Sequence, residues 1–123
     1  MTNEETITIL TEIWYACLID HHKDKDCHWY IDKTWSYGQK PIYSVQHYGY
    51  IIDDFKCEDF NTMEDAETFL IQKLKYHINK EIDNWLRYKN EEQIPKEEED
   101  KIEKHFLELR DKVKEACNEQ FNY

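Results

Sequence analysis

The sequence predicts an α+β fold, a three-stranded antiparallel β-meander followed by two α-helices (βββαα), with room for a short extra element at the N-terminus. Three observations carry that reading. Runs rich in β-branched and aromatic residues, separated by turn residues, fill positions 12–52. The pattern then changes to helical periodicity over 60–86, and a second helical seam follows Pro95. A chain of 123 residues is the size of one domain and buries roughly two thirds of its unfolded surface in a single core. Residues 1–123 are therefore expected to form one small acidic domain.

The first strand is placed at Glu12–Asp20, "EIWYACLID", where β-branched and aromatic residues precede a polar cluster that reads as a turn. The same stretch has a helical alternative. Leu10, Ile13, Trp14, Cys17 and Leu18 also fall at helical spacing, and Asn3 with Glu4 and Glu5 suits a helix start, so residues 1–12 are open to either form. The clearest strand is "CHWYIDKTWS", Cys27–Ser36, which sets Trp29, Ile31, Lys33 and Trp35 on one side and mixed residues on the other. Tyr37–Pro41 carries the Gly and Pro of a turn. "IYSVQHYGYII", Ile42–Ile52, then puts Tyr43, Val45, His47, Gly49 and Ile51 on one face, with Gly49 marking a bulge or close approach.

In the segment Phe60–Leu86, Asn61 or Thr62 serves as N-cap, and Asp65 stands where a capping box needs an acceptor. Ala66, Phe69, Leu70, Leu74, Ile78, Ile82 and Trp85 mark its apolar face, with His77 at the edge of that face and His47 in the sheet. After "NEEQIP", Ile102, Phe106, Leu109, Val113 and Ala116 repeat at 4-3-4-3 spacing on an otherwise charged helix. Such a seam needs a partner. The geometry of antiparallel helical hairpins favours the preceding helix or the sheet; the alternative is a dimer through this C-terminal helix.

Net charge is −11, with 16 basic against 27 acidic residues. That balance repels nucleic-acid phosphates and anionic lipid, so neither direct nucleic-acid binding nor a membrane role is expected. The longest apolar run, Ile13–Ile19, is far short of the ~20 residues of a membrane helix. The N-terminus lacks a signal-like stretch, so a cytoplasmic protein is expected. All the excess acid lies in two segments. Residues 53–67 carry −6, through Asp53, Asp54, Glu58, Asp59, Glu64, Asp65 and Glu67 against Lys56. Residues 90–103 carry −5, through Glu91, Glu92, Glu97, Glu98, Glu99, Asp100 and Glu103 against Lys96 and Lys101. Both read as helix starts, where acids complement the helix dipole.

Chemistry-bearing motifs are sparse. "DHHKDKDCHWY" gathers His21, His22, Cys27 and His28, but side chains alternate along strands and no established ligand spacing is present, so a charged hairpin tip is expected rather than a metal site. Cys17, Cys27, Cys57 and Cys117 contain no C-x-x-C pair, which points to reduced thiols. Cys27 or Cys57 with His47 or His77 makes no known thiol–base signature, and two glycines give little with which to build a phosphate cradle. No catalytic residue, metal or cofactor is assigned.

Aromatics are the stronger feature: a three-stranded sheet with helices on one side cannot bury both faces. Trp14, Tyr30, Trp35, Tyr48 and Tyr50 are the candidates for exposed anchors in a partner interface. The acidic candidates are Asp53, Asp54, Glu58, Asp59, Glu91, Glu92, Glu97, Glu98, Glu99 and Asp100. Together they lead to a non-enzymatic binding or inhibitor protein that occludes a basic partner, of the kind that itself binds nucleic acid. The alternative is a small-ligand or nucleotide-binding protein using an aromatic pocket. In size, acidity and a Lys-, Ile-, Asn- and Tyr-rich composition the chain resembles the accessory and anti-defence proteins of phages and mobile elements, a likeness of style that no motif carries.

Overall fold

The computed structural model describes residues 1–17, 28–48, 57–91 and 94–117. It is an α+β arrangement in which helix α1 (Asn3–Cys17) precedes strands β1 (His28–Thr34), β2 (Ile42–Tyr48) and β3 (Glu58–Phe60). Helices α2 (Met63–Glu91) and α3 (Lys96–Ala116) follow. The strands form one antiparallel sheet in the order β1-β2-β3, so the meander and the two C-terminal helices stand as expected.

The N-terminal part differs from the favoured reading. Glu12–Cys17 is not a strand but the last turns of α1, and Leu18–Asp20 lie outside the described residues. A capping box explains the helix start: the Glu5 N–H donates to Thr2 Oγ1 at 3.1 Å, and the Thr2 N–H reaches back to Glu5 Oε1 at 3.4 Å. Thr6, Thr8 and Thr11, poor helix formers on propensity, each donate their hydroxyl to the carbonyl four residues earlier, at 3.1, 3.0 and 2.7 Å. The apolar stripe Leu10, Ile13, Trp14 and Cys17 is buried, which is the helical alternative realised.

The third strand is instead Glu58–Phe60, which pairs Tyr43 with Phe60 and Ser44 with Asp59. Three residues are too few to show a period, and their acids had read as the approach to a helix. In the β1–β2 hairpin, Ile31 pairs with Val45 and Lys33 with Tyr43. Gly38 turns the chain at φ +76°, a conformation that residues with a Cβ rarely adopt, and the Gln39 N–H closes the turn on the Ser36 carbonyl at 3.0 Å.

Helix α2 is the spine, packed on α1, α3 and the sheet. Thr62 caps it by accepting the Asp65 N–H at 3.1 Å, and Ala66, Leu70, Leu74, Ile78 and Ile82 descend its buried face at every fourth residue. Trp29 ties the sheet to this layer. Its ring meets Trp14 edge-on at 4.4 Å, His47 at 4.8 Å, and stacks on the buried His77 at 5.5 Å.

The seam of α3 is used within the chain. Phe106, Leu109, Val113 and Ala116 are buried, with Ile102 packed partly against them. Two ion pairs fix α3 antiparallel to α2, Lys89 with Glu103 at 2.8 Å and Arg110 with Asp83. Bonding to Glu103 holds the Lys89 ammonium protonated above its ordinary range. No helix among the described residues is long and apolar enough to cross a membrane.

Candidate functional site

A groove opens where the last turns of α2 meet the start of α3. Trp85 and Tyr88, three residues apart and so neighbours on one helical face, stand with ring centroids 5.7 Å apart and planes at 81°. The indole is held from two sides: its Nε1–H donates to the Cys17 carbonyl at 3.2 Å, and its ring stacks on Phe106 at 5.4 Å. Beside it, His105 Nε2 lies 3.3 Å from the Ala16 carbonyl. A carbonyl only accepts, so the imidazole proton sits on Nε2. The two bonds satisfy carbonyls that end α1, and they lock all three helices together at this point.

Glu81 and Asn84 from α2, Ile94 from the link, and Glu98 and Ile102 from α3 complete the lining. The cavity measures about 430 Å³, within the roughly 300–1,000 Å³ usual for ligand clefts. Pro95 starts α3 by accepting the N–H groups of Glu98 and Glu99, both at 3.0 Å, and of the acidic run Glu97, Glu98, Glu99 and Asp100 in this first turn it is Glu98 that lines the groove. Glu97, Glu98 and Asp100 are exposed and Glu99 is half-buried.

The structure separates two other acidic candidates, Glu58 and Asp59, from this place. Glu58 and Asp59 lie on β3, where Asp59 accepts the Ser44 hydroxyl, so they belong to a strand and not to a helix start. Antiparallel packing puts them at the far end of α2, whose 29 residues span about 40 Å. Glu91 closes α2, while Asp53, Asp54 and Glu92 lie outside the described residues.

Among the aromatic candidates, Trp14 is corrected: it is 3% exposed in the core, because helical spacing turns it inward. Tyr30 is exposed on the sheet face away from the helices, and Trp35 is exposed beyond the end of β1 with Lys33 Nζ 4.8 Å over its ring. Tyr48 pairs with His28 at the end of β2, and Tyr50 lies outside the described residues. Sequence reasoning assigned Trp85 to the core and passed over Tyr88, yet the signal was there: two aromatics three apart, just before a helix stop and an acidic run.

Residues 21, 22 and 27 of the histidine–cysteine cluster also lie outside the described residues; among those described, no group of three His, Cys, Asp or Glu side chains is placed to hold a metal ion. The Cys57 thiol lies 3.4 Å from Gln46 Oε1, and His47, the next residue along β2, projects to the opposite face.

Cys17 is buried at the helix junction, and desolvation, aided by the charge of Glu81, pushes its thiol up to about 12. Burial also raises the half-buried Cys117, against a lowering by Lys75. Among the cysteines of the described residues, labelling of the native protein with a maleimide, read by peptide mapping, is therefore expected to modify the exposed Cys57 first, Cys117 more slowly, and Cys17 only on unfolding. Between pH 9 and 12 the unfolded chain gives up the Cys17 proton while the folded protein keeps it, so stability falls as pH rises through that window. The expected loss is about 1 kcal/mol by pH 10, and Cys17→Ala should flatten the slope; an unchanged slope would show that the thiol does not carry it.

Comparison with known proteins gives no match: no family model, no curated protein and no solved structure matches the chain.

Proposed function

We propose that this chain is a non-enzymatic acidic binding protein that engages a basic partner protein and occludes its charged surface. One observation carries the reading: the acidic first turn of α3 and the aromatic pair Trp85 and Tyr88 border the same groove, with Glu98 belonging to both features. Carboxylates in number supply long-range steering and register, whereas aromatic rings supply contact area and affinity, and interfaces draw on both. A partner that binds nucleic acid presents such a basic surface, and an inhibitor in the style of phage and mobile-element proteins would act by covering it. The free cysteines Cys17, Cys57 and Cys117 support a reducing compartment, the cytoplasm.

Charge reversal tests the reading. Immobilised wild-type protein is expected to retain a basic protein from lysate at low salt and to release it as salt rises, because steering is screened over about 10 Å at 0.1 M. Changing Glu97, Glu98 and Glu99 to Lys should abolish retention, leaving the fold intact apart from a modest loss of dipole complementation at α3. Changing the exposed Glu108 and Glu115, farther along the same helix, is the control and should matter less. Equal loss from both sets would mean that only total charge counts, and retention indifferent to both would remove the acidic surface from the function.

A further inference from the structure

We infer that the α2–α3 groove seats one arginine side chain of the basic partner, an inference that rests on the function proposed above and names the contact through which it acts. The near-perpendicular rings of Trp85 and Tyr88 make a corner. Aromatic faces carry negative potential and attract a cation placed over them. Glu81 and Glu98 add carboxylate oxygens to the same lining, and Ile94 and Ile102 add apolar wall. A planar guanidinium on a flexible apolar stem meets all three: it stacks on a ring, donates to a carboxylate and lays its methylenes on the isoleucines.

A lysine ammonium is a compact, strongly hydrated charge that gives up more on entering such a site and cannot stack. Phosphate groups are repelled by the two carboxylates, and a neutral apolar ligand would cover Glu98 without giving its carboxylate a hydrogen bond. The chain's own arginines do not line the groove: Arg110 pairs with Asp83, and Arg87 donates to Asn84 Oδ1 at 3.0 Å. What distinguishes this place from the acidic turn at Glu64 and Asp65 is the aromatic corner, so the two should behave differently toward the same cation.

Blocked hexa-arginine, hexa-lysine and hexa-citrulline peptides, titrated into the full chain at low salt and followed by NMR, test this. Hexa-arginine is expected to bind more tightly than hexa-lysine, shifting the Trp85 indole and Tyr88 ring resonances, and hexa-citrulline is expected not to bind. Tyr88→Leu, which keeps apolar bulk at a half-exposed site, should weaken hexa-arginine about five- to tenfold and narrow the preference over lysine. Glu98→Gln should weaken it several-fold, while the double change Glu64→Gln and Asp65→Asn leaves the arginine preference as it was. Hexa-arginine binding that neither Tyr88→Leu nor Glu98→Gln alters would overturn the groove while keeping a basic partner. Citrulline binding as tight as arginine would overturn the cation. Failure of hexa-arginine to bind at low salt would remove the seat and the basic-partner reading together.

Discussion

Leu109→Asp is expected to unfold the protein. Leu109 is 5% exposed, flanked along the α3 seam by the buried Phe106 and Val113. A carboxylate there loses its water and gains no partner, a change that costs about 5 kcal/mol or more. Whole domains are stable by only about 5–15 kcal/mol. Far-UV circular dichroism and a urea titration read the result directly. Leu109→Ala, which leaves a cavity and no charge, is expected to fold with a loss of about 2–5 kcal/mol. The opposing outcome is specific: a wild-type dimer that Leu109→Asp converts into a folded monomer would show the seam to be shared between copies of the chain.

Trp29→Ala is expected to cost about 3–5 kcal/mol, the largest loss from a truncation in the sheet. Trp29 is 5% exposed and touches Trp14 of α1, His47 of β2 and His77 of α2, so its removal uncouples three elements at once. A double-mutant cycle with Trp14→Ala isolates the edge-on pair, for which a coupling of about 0.5–1.5 kcal/mol is expected beyond area burial. A single loss below about 1 kcal/mol, with an unchanged urea dependence, would mean that the sheet is held by β2 alone.

How much of this was legible beforehand depended on whether a pattern had one physical solution. Helix α2 had Asn61 or Thr62 for a cap, of which Thr62 takes the part, and a long apolar stripe that appears as read. The α3 seam was equally plain, but its partner was not, since an apolar stripe records that something covers it and not what does. Residues 12–17 satisfied two periods at once. Helix was favoured by Thr2 with Glu5, two residues whose pairing depends on a bond across one turn. The candidate site was half legible: Glu97, Glu98, Glu99 and Asp100 stood out as charge, whereas Trp85 and Tyr88 resembled core.

By itself, then, the sequence determined the class of fold, the hairpin at Gly38, the α2 and α3 helices and the location of every excess charge along the chain, because these follow from local periodicity, turn chemistry and composition. Only the tertiary structure decided that Trp14 goes inward, that Glu58–Phe60 completes the sheet, and that the acidic segments flanking α2 stand at its opposite ends. It likewise decided that Glu98, from the acidic start of α3, shares a groove with Trp85 and Tyr88. The reason is one of range: capping and periodicity act over a few residues, whereas the direction in which α3 returns along α2 is set by Lys89 with Glu103, Arg110 with Asp83 and the apolar faces between them, contacts that exist only once the helices have met.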